Sequence, residues 1–212
     1  RDLVRSRGLG DVYKRQVYRE FVYGGEPLAS MAQFDDAAEN VVVVDSISKR
    51  FSACGARGGI LVSRNRELMA QALKICQGRL CAATLDQLGA AALYGVGSDY
   101  FSAVREEYHR RRDTCMEGLS QIPGVVCECP KGAFYLMAKL PVDDTDKFQT
   151  WLLEEFQDNG ETVMFAPGEG FYGTPGKGRD EVRLAYILKQ ADLRRAMEVL
   201  AHGIEAYNSR KL

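Results

Sequence analysis

The chain has 212 residues, 46% hydrophobic and 27% charged, the mix of a globular protein with a real core; disordered and collagen-like chains are excluded. Its 28 Lys and Arg balance 29 Asp and Glu to a formal charge of −1, so no field of one sign gathers nucleic acid or an anionic membrane. No apolar run approaches the roughly 18 residues of a spanning helix.

Ser6–Gln16 reads SRGLGDVYKRQ, which back-translates in one frame into a transposase-type sequencing adapter. Residues 1–16 are therefore set aside as a non-native artefact. Val41–Val44 is a β-branched run that reads as a strand buried on both faces, as in a parallel sheet. It is expected to be central in a sheet whose other members lie upstream. Gly59–Val62 is a second strand. Leu68, Met69, Ala72, Leu73 and Cys76 recur at helical spacing and predict a helix over 65–78. Leu85–Tyr94 is a small-residue helix. Residues 98–120 form a long charged helix with Phe101, Val104, Tyr108 and Leu119 inward.

Pro123-Gly124 then signals a turn. Val125–Cys127 and Ala133–Met137 read as strands joined by a Pro-Lys-Gly turn. Phe148, Trp151, Leu152 and Phe156 mark a helix, and 162–165 and 181–186 are two more strands. Leu193, Ala196, Met197, Leu200, Ile204 and Tyr207 give a closing amphipathic helix. Such alternation predicts an α/β layer protein with a domain boundary inside the long helix, near residue 105.

Six cysteines (Cys54, Cys76, Cys81, Cys115, Cys127, Cys129) and two histidines lack the convergent spacing of a metal site, so reduced thiols of a cytoplasmic protein and no metal are expected. Chemistry concentrates between the first two strands, in Asp45-Ser46-Ile47-Ser48-Lys49-Arg50-Phe51-Ser52-Ala53-Cys54-Gly55-Ala56-Arg57-Gly58-Gly59. A lysine at a strand end, against an apolar wall, loses solvation, which favours the neutral amine that condenses with an aldehyde. An arginine with serine hydroxyls nearby suits a phosphate. An aldehyde and a phosphate on one small molecule mean pyridoxal phosphate. Taken singly, each residue is an ordinary solvated loop side chain; Ser46, Lys49, Gly55, Arg57 and Gly59 together are a sharper signal.

The pattern Ser46-x-x-Lys49-x5-Gly55-x-Arg57-x-Gly59 resembles the lysine signature of the class I/II aminotransferases, fold type I pyridoxal-phosphate enzymes, and the look of residues 17–212 is aspartate aminotransferase-like. The resemblance implies a partial large domain over 17–105, mostly parallel sheet with helices, and a small α+β domain over 106–212. It implies that Lys49 forms the internal aldimine and shuttles the substrate proton, and that Ser46 and Arg57 bind the cofactor phosphate. Val17–Tyr23 resembles the segment after the family's Asp-Glu-x-Tyr motif, with Tyr18 beside the cofactor's phenolic oxygen. Glu181–Ala185 resembles the strand whose arginine, here Arg183, grips the substrate α-carboxylate. The motif's aspartate, which keeps the ring nitrogen protonated, would fall at Arg15. The implied parent is a cytoplasmic homodimer of amino acid metabolism acting on an amino acid and a 2-oxo acid. The alternatives are a cysteine-conjugate β-lyase on the same scaffold, or a non-catalytic remnant.

Three other patterns in the sequence suggest different chemistry. Gly168–Gly173 matches G-x-G-x-x-G, but loop residues follow it where a dinucleotide site needs a helix; it reads as a substrate-side loop near Arg183. Gly176–Arg179 lacks P-loop spacing. Arg110-Arg111-Arg112, bordered by Glu106, Glu107 and Asp113, reads as a solvated helix face rather than an RNA contact.

Overall fold

The computed structural model describes residues 12–25 and 29–210, the side chains of 12–15 excepted; Ser6–Asp11 of the adapter-like stretch lie outside the described residues. The chain divides into two compact units, 1–102 and 103–212.

The first unit is built on strands β1 (Val12–Arg15), β2 (Val41–Ser46) and β3 (Gly59–Ser63), in the order β1-β2-β3. The valine run is central, as expected, but only one of its two neighbours lies upstream, since β3 follows it in sequence. Its neighbour β1 comes from the stretch set aside as foreign and runs parallel to it, with Val12 opposite Val41 and Arg15 opposite Val44. A strand edge presents unpaired backbone groups that any extended segment can satisfy, whatever its origin. Pairing continues past β1, where the Gln16 amide donates to Val44 O at 2.9 Å.

Two expectations about this sheet are corrected. It is mixed rather than mostly parallel, because β3 returns antiparallel to β2, with Ser46 opposite Gly59. The connection holds a four-residue helix, α1 (Ile47–Arg50), and a single 3-10 turn, Cys54–Ala56, where a parallel return needs a full crossover. Nor is β2 buried on both faces. Val41 and Val43 pack with Met31, Phe34 and Ala37, while Val42 and Val44 are half-buried.

Helices α2 (Arg66–Gly78) and α3 (Thr84–Leu93) follow at the predicted places. Asn65 caps α2 by accepting from Leu68 N. Both helices leave apolar side chains in solvent, with Ile75 74% and Leu85 83% exposed.

Helix α4 (Ser98–Ser120) leads into the second unit, a four-stranded antiparallel sheet with the order β4-β5-β7-β6. The strands are β4 (Val126–Cys127), β5 (Tyr135–Lys139), β6 (Ala166–Pro167) and β7 (Glu181–Ala185). Helices α5 (Thr145–Glu154) and α6 (Gln190–Ser209) complete it. Leu136, Ala138, Val182 and Leu184 face a core that also holds Phe148, Leu152, Leu200 and Tyr207. Gly118 of α4 admits α6 closely, since a Cβ there would lie 2.6 Å from Met197 Cβ.

The predicted strand at 162–165 is not one. Its amide at Phe165 donates to the Gln149 side-chain oxygen at 2.6 Å instead of to a strand, and pairing begins only at Ala166. The three consecutive arginines of α4, Arg110, Arg111 and Arg112, are tied within the fold. Arg110 and Arg111 pair with Glu107, Arg111 also donates to Ile187 O, and Arg112 donates to Pro130 O. All six cysteines are free thiols. Burial pushes Cys115 up to about 12 and Cys127 up to about 11, which makes them poor nucleophiles at neutral pH.

Candidate functional site

Parallel strands β1 and β2 end on the same side of their sheet, where open α/β sheets bind ligands. Tyr18 leaves β1 on the turn 17–20, half-buried, its carbonyl accepting from Phe21 N at 2.9 Å. Ser46 ends β2. Two ion pairs fasten these segments together. Arg19 reaches Asp45 at 3.2 Å, and Glu20 reaches Arg50 at 3.0 Å. Tyr18 is next in sequence to Arg19, Ser46 to Asp45, and Lys49 to Arg50, so the candidate residues stand beside the anchors.

Ser46 is the N-cap of α1. Its backbone is extended, and its hydroxyl oxygen accepts from Ser48 N at 3.1 Å. The same hydroxyl lies 2.8 Å from Ser48 Oγ and donates to Gly58 O at 3.0 Å, which draws the far end of the turn back over its start. Asp45 is buried and accepts from Ser46 N at 2.8 Å. Lys49 sits in the single turn of α1, half-buried. Its Nζ donates to Cys54 Sγ at 3.9 Å. Arg57 is exposed, and its guanidinium donates to Cys54 O at 3.0 Å. Gly58 packs on Ile47, with room for a Cβ only at 3.0 Å from Ile47 Cδ1.

Arg50, next to the lysine, has a structural task. Its guanidinium lies 4.8–5.4 Å from the ring centres of Phe51, Tyr94 and Phe101 and pairs with Glu20. The turn therefore separates two adjacent cations, one held among aromatics and one beside a thiol.

Arg183, in the second unit, projects from the face of β7 opposite the core, between buried Val182 and Leu184. The rings of Tyr135 and Phe171 each lie 4.7 Å from its guanidinium carbon. With rings on the guanidinium, its hydrogen-bonding capacity lies in its own plane, the geometry a carboxylate takes. Phe171 belongs to the Gly168–Gly173 segment, which holds a single 3-10 turn, Glu169–Phe171, and no α-helix. The loop does lie against Arg183. Gly168 is required there by close packing, since a Cβ would come 2.6 Å from Glu181 O. Tyr172 donates to Glu181, and this bond raises the tyrosine's pKa above its ordinary value.

Sequence reading passed over Asp45, Cys54 and Phe171. Asp45 and Cys54 stand inside the quoted lysine segment; the signal was their position, which assigns no contact. Phe171 was visible only as part of a glycine pattern.

The donor set of the 46–58 turn fits an aldehyde that carries a phosphate: an amine, two serine hydroxyls and a guanidinium, tied within one turn. At the end of β1, Arg15 stands where a carboxylate would be expected. In fold the chain is similar to the α-aminoadipate aminotransferase LysN of Thermus thermophilus, solved complexed with N-(5'-phosphopyridoxyl)-L-leucine. The TM-score is 0.82 at 25% identity, over 98% of this chain and 53% of that one. It is equally similar to the aromatic aminotransferase of Pyrococcus horikoshii, with a TM-score of 0.82, 26% identity and coverage of 98% and 54%. These likenesses make the fold that of the type I pyridoxal-phosphate transferases, in part. Residues 16–200 match the family Aminotransferase class I and II, and the chain belongs to that family. It is 30% identical over 201 residues to the aspartate aminotransferase of Bacillus subtilis (strain 168), covering 91% of this chain and 49% of the relative. The chain thus spans about half the length of the curated relatives it matches.

Proposed function

We propose that the intact protein is a pyridoxal-phosphate-dependent aminotransferase, aspartate aminotransferase-like, that exchanges an amino group between an amino acid and a 2-oxo acid. The observation that carries this reading is the 46–58 turn, in which an amine and a guanidinium meet on Cys54 beside the Ser46 and Ser48 hydroxyls, in a chain of this family. Residues 17–105 would be the later part of the cofactor domain and 106–212 the small domain. Cytoplasmic location, a homodimer and a place in amino acid biosynthesis belong to the same proposal. Among the described residues no helix is long and apolar enough to cross a membrane.

Pyridoxal phosphate supplies, when bound, an electrophilic aldehyde and a ring that accepts electron density from the substrate α-carbon. Lys49 would hold its aldehyde through Nζ, and Ser46 and Arg57 would hold its phosphate. Tyr18 would donate a hydrogen bond to its phenolic oxygen. Lys49 Nζ would be the base that takes the α-proton of the substrate. Arg183 orients the substrate by two parallel bonds to its α-carboxylate, and the Tyr135 and Phe171 rings keep the guanidinium from turning.

Arg15 favours a second reading for the 212-residue chain taken alone, that it binds the cofactor without turnover. The resemblance gives this position an aspartate that keeps the ring nitrogen protonated, and an arginine residue brings no carboxylate to do so. The test is to incubate the chain with pyridoxal phosphate, reduce with borohydride, digest and map the tag. It is expected on Lys49. A tag spread evenly over the other lysines overturns the assignment.

A further inference from the structure

We infer that Cys54 is a positioning residue that sets the placement of Lys49 and Arg57 relative to each other; this rests on the roles proposed above for those two cations. Three bonds converge on it. Lys49 Nζ donates to its sulfur at 3.9 Å, its sulfur donates to Ser48 O at 3.2 Å, and its carbonyl accepts from Arg57 at 3.0 Å. One residue thus touches the amine with its side chain, the guanidinium with its backbone, and the lysine's own helix through the thiol hydrogen.

The backbone around it explains why such a tie is needed. Ser52 and Arg57 both have left-handed φ, at 52° and 51°, although neither is glycine. Such residues persist only where their surroundings over-determine them. Cys54 lies between the two, and the Sγ–Ser48 bond pins the segment that joins them to α1. A thiol is both a weak donor and a weak acceptor, so it can take a hydrogen from Lys49 while giving its own to Ser48. Serine can do the same with shorter reach, and alanine can do neither. The consequence is a fixed spacing between an amine and an anion-binding group, which favours a ligand carrying an aldehyde and a phosphate at matching separation.

The test compares two probes on the full chain, pyridoxal phosphate and pyridoxal without its phosphate, each reduced with borohydride and mapped by peptide mass. Wild type is expected to tag Lys49 above other lysines, with the phosphorylated probe preferred. Cys54→Ala is expected to lower both the Lys49 tag and the phosphate preference by about threefold, as loss of a partly exposed bond to a charged group implies, and Cys54→Ser to retain most of each. If Cys54→Ala lowers only the melting temperature and leaves tag and preference unchanged, Cys54 merely packs and the inference fails alone. If wild type does not tag Lys49, the reading of the lysine fails and takes the inference with it.

Discussion

Asp158 shows how single side chains hold the second unit. It accepts from His202 at 2.6 Å and pairs with Arg195 at 3.2 Å, clasping the tight turn 158–161 to α6. The His202 bond, aided by the Arg195 charge, lowers its pKa from the ordinary 3.8. A carboxyl whose pKa falls on folding stabilises the fold above its unfolded value, and that contribution is lost as pH falls through the lowered folded value. Asp158→Asn is therefore expected to lower the urea midpoint near neutral pH, with the difference from wild type shrinking below about pH 4. Because its partners His202 and Arg195 remain partly exposed, added salt should also shrink it. Urea titrations across pH at two ionic strengths check both. The sequence offers Ser46, Lys49 and Arg57 as candidates at this scale because their types and spacing suggest a chemistry, and it offers Arg183 only through the family resemblance. Cys54 is not among them, since a thiol among six announces nothing until Lys49 and Arg57 are seen to bond to it.

Elements were legible where a periodic apolar face is long. The helices at 65–78, 98–120 and toward the C-terminus fall where their spacing puts them. The strand expected at 162–165 was lost to a side chain. Val163 and Phe165 alternate inward as in a strand, yet Gln149 of α5 takes the Phe165 amide. Gln149 is itself buried, and its amide nitrogen faces Val163 O at 3.5 Å. Gln149→Leu fits the space but leaves the Phe165 N–H buried and unpaired. The expected loss is about 1–3 kcal/mol, read from urea unfolding. An unchanged midpoint would mean that the 162–165 segment finds another acceptor.

At the scale of the whole chain the two units differ in completeness. The second has a core of its own, with Phe148, Leu152, Val182, Tyr186, Leu200 and Tyr207 almost fully buried. The first leaves Ile75, Leu80, Leu85 and Leu88 at 65% exposed or more, and its edge strand β3 shows Ile60, Leu61 and Val62. Exposed apolar patches beside an open strand edge drive association. Residues 98–212, which retain all of α4, are expected to be monomeric and to unfold cooperatively. The full chain is expected to self-associate at the same concentration. Sedimentation and urea unfolding of both decide it, and a monomeric full chain with a single transition would refute the contrast.

The places of the long helices and of strands β2 and β3, and the candidacy of Lys49, were read from the sequence itself, because hydrophobic period and residue type are local properties of the chain. Which way β3 runs, which residues pair with β2, and what Cys54 and Gln149 bond to were decided only by tertiary structure. Those outcomes depend on which backbone and side-chain groups find partners across distance, and every unsatisfied donor or acceptor takes the nearest one the fold provides.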